Sequence, residues 1–243
     1  MDKSINEIEE GCKVLIFELP EDHGWQHSQH VAALALTLLE TMRVEGLSDN
    51  DNETLRAVCK LAAWIHDLND KKMSGYVERW QKCLALLSSH PHMNAIKWIV
   101  EHVGVSREAG PNYANKRWDA QKWNDELETL GEVTYPLTPQ RVLQIRHCVS
   151  CADMTSAVGS GGDIRAREFN ERKLVEANGK CEIADLRKAV RDIHVRKHLR
   201  MLEWVHIDTQ QVRDLFATGT AELVRSYNEW CLETGGTQEE LIA

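Results

Sequence analysis

Apolar residues recur at intervals of three and four through most of the chain, the spacing of one face of an α-helix. In WQHSQHVAALALTLLETM, the positions His27, Val31, Leu34 and Leu38 share one stripe, so the His27 imidazole faces inward with aliphatic neighbours. Val142, Ile145, Val149 and Asp153 repeat the pattern, since a step of roughly 100° per residue returns Asp153 to within about 20° of Val142 after three turns. Amphipathic helices are predicted near 4–18, 25–43, 52–67, 74–88, 92–104, 117–130, 139–157, 181–203 and 207–231. Asp51 or Asn52 is placed to cap the helix that leads to His66. Alternating runs bounded by turn pairs are scarce, so the pattern predicts an all-α bundle. With 243 residues, 42% of them hydrophobic, one globular domain over 1–243 is the simpler organisation. The polar, tryptophan-bearing segment at about 107–138 reads as an insertion with one helix of its own. It is either a solvated loop or a lid over a binding cleft.

Ionisable side chains on those buried faces change the picture. His66 and Asp67 end the apolar stretch LRAVCKLAAWIHD, with His27 upstream and Asp153 downstream in CVSCADMTSA. An unpaired buried carboxylate costs several kcal/mol, whereas coordination keeps it ionised and satisfied. Any one of the four could be held by an ordinary core hydrogen bond. Together they can converge on a divalent cation of the kind that mixed imidazole and carboxylate ligands suit: manganese, iron, cobalt, zinc or magnesium. Such an ion acidifies water, which is hydrolase chemistry.

These segments resemble the HD-domain superfamily of metal-dependent phosphohydrolases, whose order is His, then His-Asp, then a distant Asp. HDLNDKK fits HDxxDxK, DHGWQHSQHV is similar to HDWxHxxRV, ADMTSAVGSGGDIRAREF is similar to ADxLDAxGAxGIxRxF, and HVRKHLRML to HxxxKLxxL. That set resembles the small HD nucleotide pyrophosphohydrolases and covers most of the chain outside 107–138. Gly24 stands where the opening motif has Asp, His30 where it has Arg, and Thr155 and Ser156 where it has Leu and Asp. The resemblance implies an HD-type helical domain with His27, His66, Asp67 and Asp153 on the metal, manganese foremost, then cobalt, magnesium, iron or zinc. It also implies a nucleotide or other phosphate ester as substrate, and cleavage of a nucleoside triphosphate to monophosphate and pyrophosphate. A 5'-nucleotidase-type monophosphate hydrolase and a non-catalytic metal- or nucleotide-binding module are the alternatives.

Around that centre, Asp70 is the candidate proton carrier and, with Asp67, a catalytic carboxylate. Lys72 and Arg167 are candidate phosphate contacts, the latter beside the glycines of AVGSGGD; alternatively a loop there leads into a helix whose Arg pairs with Glu168 or Asp163. His90 and His102, with His92, are candidates for a second metal, although capping or half-buried roles also explain them. His23 and Trp25 read as residues that support the ligands from behind or line the pocket wall, rather than as ligands. Cys148 and Cys151 form a CxxC within a helix, a poor setting for zinc or redox chemistry. A net charge of −9 disfavours binding along a nucleic-acid polymer. Without an apolar run of roughly 20 residues or a basic leader in MDKSINEIEE, no membrane association and a cytoplasmic location are expected. Seven cysteines without framework spacing agree with a reducing compartment, and a homo-oligomer is left open.

Overall fold

Ser48 starts the helix that leads to the His-Asp pair. Its hydroxyl accepts from the Asp51 amide while the Asp51 carboxylate accepts from the Ser48 amide, a reciprocal capping box. Asp51 is therefore the third residue of the helix rather than its cap, and the helix begins at Asp49, ahead of the predicted position 52. The computed structural model describes residues 4–20, 23–42, 46–109, 113 and 120–243. Among these the fold is all α, with no strand.

Contacts divide the chain into two units, Met1–Arg107 with Trp118–Ala152, and Glu108–Arg117 with Asp153–Ala243. The first contains α1 (Ile5–Phe17), α2 (Trp25–Thr41), α3 (Asp49–Ile65), α4 (Tyr76–Leu87), α5 (Met93–His102), most of α6 (Val105–Ala109) as far as Arg107, and α7 (Ala120–Leu127). Most of α8 (Pro139–Ala157) belongs to it as well. α2 packs along α3, α3 against α5, and α1 against α4. Of the α2 stripe read from the sequence, His27, Val31 and Leu38 are buried and Leu34 half-buried; Ala35 of α2 and Val58, Ala62 and Ile65 of α3 are buried with them. After Ile65 the chain tightens into a 3-10 turn, His66–Asn69, against which α4 packs.

The segment read as an insertion is fixed in place wherever it is described. Trp123 is 1% exposed, and the Trp98 indole donates to Glu126 O at 3.2 Å and Thr129 Oγ1 at 3.0 Å. Fully buried Arg146 sits 3.6 Å over the Trp123 ring and donates twice to the carbonyl of His102, at 2.8 and 2.7 Å. The one helix expected in this segment is α7, and Trp123 and Leu127, four apart, give it a buried face.

The second unit holds α9 (Ser160–Asn178), α10 (Ile183–Arg196), a 3-10 segment His198–Trp204, and α11 (Gln210–Glu233). α9 packs on α10 and α11 around Ala166, Leu186, Val190, Tyr227, Cys231 and Ile242. The glycine cluster is not an open loop. It forms the first turn of α9, and a Cβ at Gly162 would lie 2.0 Å from the Ala157 carbonyl oxygen, so only hydrogen fits. The long helix predicted over 181–203 ends at Arg196 and gives way to the 3-10 segment.

Candidate metal centre

The 3-10 turn that follows α3 presents His66 and Asp67 together, and α2 brings His27 alongside. Asp67 is 8% exposed, and its Oδ2 lies 2.8 Å from His23 Nδ1, 3.3 Å from His66 Nε2 and 3.4 Å from His27 Nε2. His66 Nδ1 is 2.7 Å from the Ala63 carbonyl oxygen. A carbonyl can only accept, so Nδ1 carries a proton and Nε2 is the nitrogen that faces Asp67. Two electron-rich atoms at that separation repel unless a cation, proton or metal, lies between them. Ligands about 2.1 Å from an ion sit about 3.4 Å apart at tetrahedral angles and about 3.0 Å apart at octahedral ones, the range found around Oδ2. The donor set fits a divalent ion. Burial alone would raise the Asp67 carboxyl, but His66 and His23, with hydrogen bonds from His23 and His27, hold it well below the usual carboxylate range.

Ligand-type atoms fall into two overlapping groups that share His27, each within 4.8 Å: His23, His27 and Asp67, and His27, His66 and Asp153. Asp153 follows Ala152 on the same unbroken α8. Neither group holds all four residues expected at the metal: Asp153 shares its group with His27 and His66, and Asp67 shares the other with His27 and His23. Of the two places the sequence left for His23, beside a ligand or in the pocket wall, the 2.8 Å contact with Asp67 is the first; its signal was a spacing of four residues before His27. Trp25 belongs elsewhere. Two residues before His27, it lies about 200° around α2 from the imidazole. Its ring packs, tilted, against those of Phe17 and Trp64 at 5.8 and 5.0 Å, with the Lys13 ammonium over Trp25 and Trp64.

Asp70 is carried past the centre by the 3-10 turn rather than by a continued α-helix. Its backbone is extended, its Oδ1 accepts from the Lys72 amide at 2.9 Å, and Lys72 Nζ lies 3.9 Å from its Oδ2. Arg167 is engaged in the second unit's core. Its Nη2 lies 2.9 Å from Asp163 Oδ2, so its charge is neutralised there and the reading as a phosphate contact is withdrawn.

The candidate second-metal histidines do not converge. His102 faces an acceptor at each ring nitrogen, Nδ1 lying 2.7 Å from Trp98 O and Nε2 3.0 Å from Glu126 Oε2. His90 Nδ1 accepts from the His92 amide at 3.1 Å, and burial pushes its pKa down to about 4. Among the described residues neither joins a ligand group, because each is already used to fix α5 or its start. Cys148 and Cys151 are buried free thiols on α8.

No family model matches the chain, and no curated protein matches it. Solved structures do. A structural-genomics protein from Lactobacillus plantarum is 15% identical with a TM-score of 0.57, over 95% of this chain and 98% of that one. Bacillus subtilis YpgQ is 15% identical with a TM-score of 0.54, over 95% and 97%. A further structure of YpgQ, in complex with ADP, has a TM-score of 0.53 at 15% identity, over 95% of each chain. At this identity the likeness is one of fold. No described helix is long and apolar enough to cross a membrane.

Proposed function

We propose that the protein is a metal-dependent phosphohydrolase acting on nucleotides, cleaving a nucleoside triphosphate to monophosphate and pyrophosphate. The reading is carried by Asp67 Oδ2, surrounded by three imidazole nitrogens at 2.8 to 3.4 Å in a buried site. Support for a nucleotide comes from YpgQ, of similar fold, which was crystallised with ADP. His27, His66, Asp67 and Asp153 would hold the ion, with His23 donating to Asp67 or joining as a further ligand. When bound, a divalent ion supplies Lewis-acid polarisation of a phosphoryl oxygen and an acidified water. Manganese is the ion the resemblance puts first, and cobalt, magnesium, iron and zinc also suit a mixed imidazole and carboxylate set. The Ala63 carbonyl fixes the His66 tautomer and ring orientation. Asp70 would move the proton, and Lys72, held beside it, would offset phosphate charge. Location in the cytoplasm belongs to the same proposal.

The test is a nucleotide panel with separate phosphate and pyrophosphate detection, run with manganese, cobalt, magnesium and chelator. Pyrophosphate release that requires metal is expected. Orthophosphate from monophosphates would replace this reading with the 5'-nucleotidase type. Metal and nucleotide binding without turnover would leave a binding module.

A further inference from the structure

Arg79 lies on α4, the helix packed against the 3-10 turn that carries His66 and Asp67. Only 9% of it is exposed. Its Nη2 donates to the Ser74 carbonyl at 2.7 Å, while Nε and Nη1 are buried without a hydrogen-bond partner. No carboxylate pairs with it among the described residues, and the nearest acid in sequence, Glu78, is engaged with Lys82 at 2.9 Å. A buried guanidinium, always charged and rich in N–H donors, is strongly disfavoured without an anion.

The same place lacks a helix cap. The N-cap of α4 is Gly75, whose φ of 71° is left-handed and which has no side chain to accept from the first-turn amides. A Cβ at Gly75 would lie 3.9 Å from Arg79 Nη2, so the guanidinium reaches back over the start of its own helix. The amides and the positive end of the helix dipole thus meet a cation where an acidic cap would be ordinary. In the connection before α4, Lys71, Lys72, Ser74 and Gly75 are exposed, so an anion can approach from solvent.

We propose that Arg79 and the first turn of α4 bind an oxyanion of the phosphate class. That such an anion belongs to a substrate of the neighbouring centre rests on the function proposed above. The anion site itself does not.

Protein stripped of divalent metal by chelator is melted, and titrated by calorimetry, with inorganic phosphate, pyrophosphate and ADP. Wild type, Arg79→Met and Arg79→Lys are compared. Without anion, Arg79→Met should melt at or above wild type, because an uncompensated charge has gone. With millimolar phosphate or pyrophosphate, wild type should rise in Tm while Arg79→Met stays put. Arg79→Lys, which keeps charge but not the planar fork, should bind about tenfold more weakly, a difference of about 1.4 kcal/mol; it decides the matter if Arg79→Met does not fold. A stronger response to ADP than to either inorganic anion identifies a nucleotide as the source, and an equal one identifies free anion. An Arg79→Met response equal to wild type, or no response by wild type, overturns the proposal. Anion binding that depends on Arg79 without turnover of any nucleotide would keep it while removing the hydrolase reading. Turnover with an unaltered response in the variants would do the reverse.

Discussion

The protein buries two aspartates among histidines, and they are built differently. Asp163, fully buried in the second unit, accepts from Ser226 Oγ at 2.7 Å and pairs with Arg167 at 2.9 Å through Oδ2, while its Oδ1 lies 2.9 Å from His194 Nε2. His194 Nδ1 in turn lies 2.7 Å from His198 Nδ1, a separation that a shared proton fits. These four separations are all hydrogen-bond lengths, and the guanidinium balances the carboxylate. Around Asp67 the His27 and His66 nitrogens stand at 3.4 and 3.3 Å, longer than good hydrogen bonds and close to the spacing of ligands around an ion. Histidine and aspartate together do not make a metal site. What separates the two is whether protons and a guanidinium already close the cluster or whether it is left to a cation.

The largest effect that would sharpen this contrast is kinetic. Asp70→Asn keeps the acceptor for the Lys72 amide but cannot exchange a proton, so turnover should fall roughly 10²–10⁴-fold with metal affinity unchanged. If excess manganese restored the rate, Asp70 would be a ligand instead; an unchanged rate would remove it from the chemistry.

Next is stability. Asp163→Ala strips the counter-ion from Arg167 and the partner from His194, and should cost about 3 kcal/mol in chemical denaturation while leaving metal affinity alone. A loss of metal binding with intact stability would erase the distinction between the clusters.

A smaller effect is expected from pH. His198 is held well below its ordinary pKa by burial, then by Lys197, His194 and Arg165, and His90 is pushed down to about 4 by burial. Both pKa values are depressed in the folded state, so the unfolded chain binds more protons below about pH 6.5. Stability should therefore be full above pH 6.5 and fall as pH drops from there toward 4. Urea midpoints at pH 7.5, 6 and 4.5 measure it, and a flat profile would contradict the buried, neutral state of these rings.

The fold was legible where apolar side chains carry the pattern. The stripe of His27, Val31 and Leu38 marks α2, and the core of α3 is just as plain. It was less legible for α9, whose buried face is Gly162, Asp163 and Ala166, so no apolar stripe announces it and the glycines resemble a loop. At the site, His27, His66 and Asp67 stand out because charge on a buried face needs an explanation. His23 did not, lying before the N-cap of α2 and off its helical register. The sequence offered Asp163 and Glu168 as partners for Arg167 without choosing; that Asp163 is the one depends on how α9 is buried against α11.

The most direct test is a manganese titration by calorimetry on wild type, Asp67→Ala and Asp163→Ala at the same pH. The account predicts metal binding by wild type, weakening by about 100-fold or more in Asp67→Ala as a charged ligand is lost, and wild-type affinity in folded Asp163→Ala. Equal affinity in Asp67→Ala and wild type, or loss of binding in Asp163→Ala instead, would contradict it.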